Sequence, residues 1–200
     1  MKQPATLELY NYWNFLRGAR LSPERGEVDP LAIRHILADT LMLETDEDRT
    51  FPVRISGTRL DALFLGEQKG RAFIDLFAPD ERPSVAAMIL SMLNGARPVV
   101  ATLTAAPQGD EPATLELLLL PLRHRGKDQA RILGALSPIV VPSWLGLRAA
   151  LCLRMISMRF IDDGPTAQET SESPAELSRR MKARRRGFSV IPGGRSAPAF

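Results

Sequence analysis

Residues suited to cross-linking or metal binding are scarce in this chain of 200 residues, which has one cysteine and two histidines. A single cysteine, Cys152, cannot form a disulfide within the chain, and its apolar neighbours predict a buried strand instead of a reactive thiol. His35, His124 and Cys152 fall in three different predicted elements, so they cannot supply the converging ligands of a transition-metal site. We therefore expect a cytoplasmic protein without a bound metal.

Long apolar runs are also missing. No segment is apolar over the roughly 18 residues that a membrane-spanning helix needs. The longest candidate, residues 115–122, is interrupted by Glu116 and Pro121. Near the start, Glu8 and Asn11 interrupt the apolar core that a signal peptide requires. The sequence therefore predicts a soluble protein without a signal peptide.

Catalytic and cofactor motifs are absent as well. The chain has no Gly-x-Ser-x-Gly elbow and no glycine-rich phosphate loop. The carboxylates of Asp46, Glu47 and Asp48 lie together in a polar segment, where solvated surface explains them better than acid–base catalysis. His35 could in principle serve as a haem ligand, but an ordinary helix histidine is the favoured interpretation. We expect no enzyme and no cofactor.

Positive charge is concentrated at the end of the chain. The net charge is +3, whereas residues 164–200 have seven basic and three acidic residues, a net +4, which leaves −1 for the other 163 residues. Few apolar residues in this tail predict disorder over residues 162–200. The tail either contacts nucleic acid or an anionic membrane, or merely aids solubility. Its basic cluster consists of Arg179, Arg180, Lys182, Arg184, Arg185 and Arg186.

An amphipathic helix is predicted near the start of the chain. Leu9, Tyr12, Trp13 and Leu16 recur at spacings of three and four residues. Because the aromatic residues of this segment spread wider than one helix face, the helix either covers the open face of a sheet in its own chain or dimerises. Trp13 is expected to be buried in both cases. Tyr12, Trp13 and Leu16 are the candidate interaction residues.

The remaining pattern predicts an α+β fold. Asp29 and Pro30 predict the start of a short helix over residues 31–37. Short strands are predicted over 40–44 and 51–56, helical turns over 58–64 and 71–77, a helix over 81–93, and strands over 98–105, 113–122 and 131–141. Residues 151–161 fit either a strand or a helix. The order gives a five-stranded antiparallel sheet with helices on one face and the N-terminal amphipathic helix.

Several segments of the chain carry a family resemblance, among them residues 12–18 (YWNFLRG), 54–58 (RISGT), 116–122 (ELLLLPL), 132–136 (ILGAL) and 144–146 (WLG). Together they resemble the stand-alone PAS-domain family of alphaproteobacteria, PAS type 5. The resemblance implies a PAS-like domain over residues 29–161, preceded by the helix and turn of residues 1–28 and followed by the tail of residues 162–200. It also implies a sensory or protein-interaction module, and it indicates the fold more firmly than the function.

Two arginines flank the turn that follows the second predicted strand, near the usual opening of a PAS pocket. Arg54 and Arg59 form a candidate ligand pocket, where bidentate hydrogen bonds could hold an anionic ligand. The favoured alternative is that they pair with a carboxylate of Asp61, Glu44 or Glu116.

Three functional hypotheses follow from these observations. The first is a non-enzymatic regulatory adaptor that binds a partner protein or a second copy of itself, most simply as a homodimer. The second is a sensor with a small apolar ligand in the PAS cavity. The third is a protein that binds nucleic acid or an anionic membrane through the basic tail.

Overall fold

The computed structural model describes residues 1–124 and 127–161, and the predicted tail lies outside the described residues. The chain begins with helix α1, Pro4–Arg17, which has a proline in its first turn and ends at Gly18, where the backbone turns to a positive φ of 56°. Helix α2, Thr58–Phe64, and helix α3, Arg82–Gly95, follow between strands. Two 3-10 helices complete the helical elements, Arg25–Glu27 and Phe73–Leu76.

The strands form one antiparallel sheet with the order β2-β1-β5-β4-β3-β6. The predicted α+β class is confirmed, although the sheet has six strands where the sequence predicted five. The additional strand is β6, which pairs with β3 at the edge of the sheet. The strands are β1 (Thr40–Glu44), β2 (Val53–Ser56), β3 (Val99–Ala105), β4 (Ala113–His124), β5 (Lys127–Pro138) and β6 (Leu153–Phe160).

The sheet is buried on both faces, which explains the leucine-rich sequence of β4. Leu115, Leu117 and Leu119 belong to a core on the front face, where α2, α3 and the second 3-10 helix pack. Leu118 and Leu120 belong to a second core on the back face, together with Leu9 and Trp13 of α1. Successive residues of a strand point to opposite faces, so a strand covered on both sides is apolar throughout.

The predicted helix over residues 31–37 is wrong. This segment forms consecutive turns, with hydrogen bonds that span three residues from the Ala32 N–H to the Asp29 carbonyl (3.1 Å) and from the Ile36 N–H to the Ile33 carbonyl (3.0 Å). Ile33 and Ile36 are buried against the back of the sheet. The Thr40 hydroxyl donates to the Ile36 carbonyl (2.9 Å), an oxygen that the N–H of residue 40 would occupy in an α-helix. The segment therefore follows the sheet surface into β1.

The buried strand predicted around Cys152 is also wrong. Residues 153–160 do form a strand, but β6 is an edge strand whose side chains are mostly exposed, and Cys152 just before it is half-exposed. Only β3 flanks β6 within the sheet. With one neighbouring strand and little covering layer, its apolar residues stay in contact with solvent.

Candidate functional site

The N-terminus of α1 is held by a carboxylate from the middle of the sheet. Gln3, the residue before the helix, makes no side-chain capping hydrogen bond to the described residues. Instead Glu116 of β4 accepts hydrogen bonds from the backbone N–H of Lys2 (2.7 Å), the backbone N–H of Gln3 (3.0 Å) and the hydroxyl of Thr6. These bonds supply partners to donors that a helix N-terminus leaves unpaired.

Glu116 is ionised despite being only 5% exposed. Burial alone would raise the pKa of this carboxyl, but the hydrogen bonds from Thr6, Gln3 and Lys2 outweigh burial and hold its pKa below the usual value. The ionised carboxylate therefore attaches α1 to the sheet at neutral pH.

The other end of α1 is attached through Trp13. Its side chain is fully buried, and its indole N–H donates to the backbone carbonyl of Pro121 in β4 (2.8 Å). The ring of Tyr10 stacks beside it, and the guanidinium of Arg17 lies 5.2 Å from the Trp13 ring centroid. Glu116 and Pro121, the two interruptions of the leucine run, thus both bond to α1 or to the residues just before it. A charged residue and a proline within an otherwise apolar strand were the sequence signal for this attachment, and it was not recognised from the sequence.

One flank of α1 contacts the turns over residues 29–39. The backbone N–H of Asp29 donates to the phenol oxygen of Tyr12 (2.8 Å), and Glu8 pairs with His35. Burial, the largest influence, and the Asp29 carboxylate raise the pKa of Tyr12, against the opposing effect of the Asp29 N–H. Tyr12 therefore binds within its own chain as a neutral phenol.

The structure decides how α1 is used inside the chain. The helix covers the open face of its own sheet, as one of the two explanations proposed, and Trp13 is buried as predicted. Leu16 is half-buried. Phe15, by contrast, is 58% exposed on the outer face of the helix. A role for Tyr12, Trp13 and Leu16 in binding a partner stays a prediction.

Arg54 and Arg59 make separate ion pairs. Arg54 lies on β2 and pairs with Glu44, one of the carboxylates named from the sequence. Arg59 lies on α2 and pairs with Asp39 (2.6 Å), a partner that the sequence did not suggest. The Ser137 hydroxyl donates to the same Asp39 oxygen (2.6 Å). The ligand-binding role predicted for the two arginines stays a prediction.

A cleft opens beside Arg59 at one end of the sheet. Apart from Arg59 its lining is apolar, namely Leu63, Leu115, Leu136, Pro138, Pro142 and Leu145. Two lining residues belong to residues 139–152, the connector between β5 and β6. The connector is tied to the end of α2, because its Gly146 and Ala150 N–H groups donate to the carbonyls of Ala62 (3.2 Å) and Leu63 (2.8 Å).

The connector exposes large apolar side chains next to this cleft. Val140, Leu147 and Leu151 are each at least 70% exposed, and Val141 is exposed as well. Exposed apolar residues are ordinary when scattered singly, whereas several within one short segment mark a surface that other molecules contact.

Comparison with known proteins identifies the family. A family model described as PAS domain matches residues 1–137. The chain belongs to this PAS domain family. Among curated proteins none matches it. The family match ends in β5, so the connector and β6 of this PAS domain lie beyond the matched residues.

Several solved structures are similar to this PAS domain. The Rhodobacter sphaeroides LOV protein is 18% identical, over 58% of this chain and 71% of that one, with a TM-score of 0.42. The PAS domain of a Colwellia psychrerythraea protein is 13% identical, over 55% of this chain and 97% of that one, with a TM-score of 0.41. The light-state structure of the Aureochrome1 LOV domain is 14% identical, over 58% and 92%, with a TM-score of 0.42.

The space between the sheet and the front helices of this PAS domain is packed with side chains. Phe51, Phe73 and Phe77 are buried there with Ile89 and Met92 of α3. Phe73 and Phe77 meet edge to face, with ring centroids 5.5 Å apart. Among the described residues no three His, Cys, Asp or Glu side chains converge on one point. No helix in the described part of the chain is long and apolar enough to cross a membrane.

Proposed function

We propose that this PAS domain is a regulatory adaptor that works by binding another protein and catalyses no reaction. The observation that supports the proposal is the connector, with Val140, Val141, Leu147 and Leu151 exposed beside the Arg59 cleft. Burying one such side chain contributes about 1.5–3 kcal/mol, so a partner that covers several of them gains most of the free energy that a specific complex needs.

The position of the connector suits this role. Its backbone is fastened to α2 and its Trp144 is buried, with the indole N–H donating to the Glu111 carbonyl (3.2 Å). The exposed side chains are therefore presented by a segment with fixed attachments, which lowers the entropy cost of binding. A change in the cleft or in α2 would reach this surface directly.

Photo-cross-linking in cells of the source organism tests the proposal. A photoreactive amino acid at position 147 should capture a discrete partner or a second copy of the chain. The additional substitution Val140→Ser with Leu151→Ser should abolish that product. The control is Leu21→Ser, which alters an equally exposed leucine away from the connector. Equal capture by wild type, the connector variant and the control contradicts an adaptor surface at this place.

A second candidate function is sensing of a small apolar ligand, with the Arg59 cleft as its entry point. The cleft holds only about 10 Å³, the room that one water molecule needs, and the Arg59 guanidinium is paired with Asp39, so a ligand would have to displace lining side chains and that carboxylate. Native mass spectrometry of freshly purified protein should then show a retained mass that Arg59→Leu loses and Arg54→Leu keeps. If the protein is unliganded in every preparation, the ligand-sensor hypothesis is contradicted and the adaptor hypothesis remains.

A further inference from the structure

The back face of the sheet is covered by α1 only in part. The helix packs on β4 and β5. Glu116 of β4 is paired with Thr102 of β3, and Thr102 is paired with Ser157 of β6. The strand pairing therefore shows which residues of the two outer strands lie on the back face. Paired residues of antiparallel strands share a face. The back faces of β3 and β6 therefore extend sideways from the helix.

These outer strands carry a polar and basic surface. In the same register Thr104 pairs with Arg154 and Val100 pairs with Arg159. Val100 is buried beneath the α1 cluster, the two threonines are half-buried, and the β6 residues are exposed. We call this surface the open strip; it consists of Thr102, Thr104, Arg154, Ser157 and Arg159.

One side of α1 is oriented toward the open strip. Glu8 and Tyr12 face the opposite way, toward His35 and Asp29. Tyr10 and Arg17, seven residues apart, lie on the other flank of the helix, about 160° around its axis from Tyr12 and Glu8. Both are half-buried, and the Arg17 guanidinium is held on the helix by the Asn14 side chain (2.7 Å) and the Arg20 carbonyl (3.2 Å), so the flank toward the strip is marked by the ring of Tyr10.

The charges on the open strip are of one sign. Arg159 has no hydrogen-bond or ion-pair partner within residues 1–124 and 127–161, whereas Arg154 makes long ion pairs with Asp80 (3.6 Å) and Glu81 (3.7 Å). The carboxylate on the same face, Glu116, is buried and bonded to the start of α1. Guanidinium and hydroxyl donors in one row are suited to phosphate oxygens.

We infer that the open strip binds single-stranded nucleic acid. A strand face beside a helix accommodates a narrow polyanion, whose phosphates would contact Arg159 and the neighbouring hydroxyl groups. Anionic bilayers favour protruding basic residues flanked by inserted apolar ones, whereas the floor of this strip is threonine and serine. The basic cluster of residues 179–186 carries charge of the same sign, so the experiment has to separate its contribution from that of the strip.

Fluorescence anisotropy with labelled oligo-U and oligo-dT of about 20 nucleotides tests this inference on the full chain. The variant is Arg159→Glu, and the matched control is Arg34→Glu, an identical charge change at an exposed residue on the other side of α1. Both changes are repeated in a full-length chain in which the six residues of the basic cluster are replaced by glutamine. In that chain, the contribution of the strip to binding is measured without the charge of the basic cluster.

Arg159→Glu should weaken binding about fivefold or more in both backgrounds and flatten the salt dependence, because a phosphate contact is lost. Arg34→Glu should change affinity less than about twofold. Equal effects of the two variants would overturn the inference. Displacement of the oligonucleotide by polyglutamate at equal charge would instead indicate an acidic protein segment. Binding to phosphatidylserine vesicles but to neither oligonucleotide would indicate a lipid surface.

Discussion

Replacement of Trp13 tests whether α1 is part of the folded unit. The side chain is fully buried in the back core and its indole N–H is bonded to the Pro121 carbonyl. Trp13→Ala removes the ring and leaves a cavity, which should lower the free energy of unfolding by about 3–5 kcal/mol. Trp13→Phe keeps much of the apolar contact but leaves a buried carbonyl without its donor, which should cost about 1–3 kcal/mol.

Phe15→Ala is the matched control, because it removes an aromatic ring from the same helix at an exposed position. It should change the free energy of unfolding by no more than about 0.5 kcal/mol. Urea denaturation followed by circular dichroism measures all three variants. In the Trp13 variants the remaining tryptophan, buried Trp144, reports the front of the molecule separately by fluorescence.

The two signals distinguish the ways in which the reasoning can fail. If α1 unfolds with the sheet, the dichroism and Trp144 transitions coincide and both move to lower urea. A loss of less than about 1 kcal/mol for Trp13→Ala, equal to that of Phe15→Ala, would refute the anchoring of α1 through Trp13. Early loss of helix with an unchanged Trp144 transition would show that α1 is attached but does not stabilise the rest.

Three further predictions concern other parts of the chain. Gly57→Ala should cost about 1–3 kcal/mol in urea denaturation, because an added Cβ would lie 2.4 Å from the Ala38 carbonyl oxygen, whereas Gly26→Ala, with open space, should be neutral. Because the pKa of Glu116 is lowered on folding, its stabilisation is present above the usual value of 4.5 and is lost as pH falls through the lower folded value. Glu116→Gln should therefore destabilise the protein at neutral pH and reduce its loss of stability on acidification, and an unaltered pH profile would contradict this. Limited trypsin digestion should remove the basic cluster and leave a core that ends near residue 161, whereas a protease-resistant tail would argue against the predicted disorder.

Much of the fold could be predicted because local signals agreed with it. Helix α2 was predicted over the residues it occupies, since Gly57 and Gly66 delimit an apolar-faced turn, and the alternation in β3 predicted a strand. Residues 153–160 stayed ambiguous because their apolar residues follow neither a period of two nor one of 3.6. The bulge opposite Thr102 and Leu103 accounts for that irregular pattern.

The contacts between distant residues could not be predicted. The sequence indicated that the leucine run forms a strand and left open whether α1 covers a sheet of its own chain or dimerises, but it did not indicate that the leucine run provides the contacts. Nothing local to Arg59 indicates Asp39 as its partner, since the turns before β1 bring the two together. Glu116 could be recognised only as a charge in an apolar run, because the donors that bind it lie 110 or more residues earlier.

The anchoring of α1 limits where this PAS domain can bind anything. The centre of the back face is occupied by Trp13 and Leu9, and the front is packed with the side chains of α2 and α3. Free surface with distinctive chemistry remains on the connector, which is apolar, and on the open strip, which is basic. Both depend on residues 138–161, which lie beyond the family match. If the two surfaces bind different molecules, then Leu147→Ser and Arg159→Glu should each weaken one interaction and spare the other, and a double variant should show both effects unchanged in size.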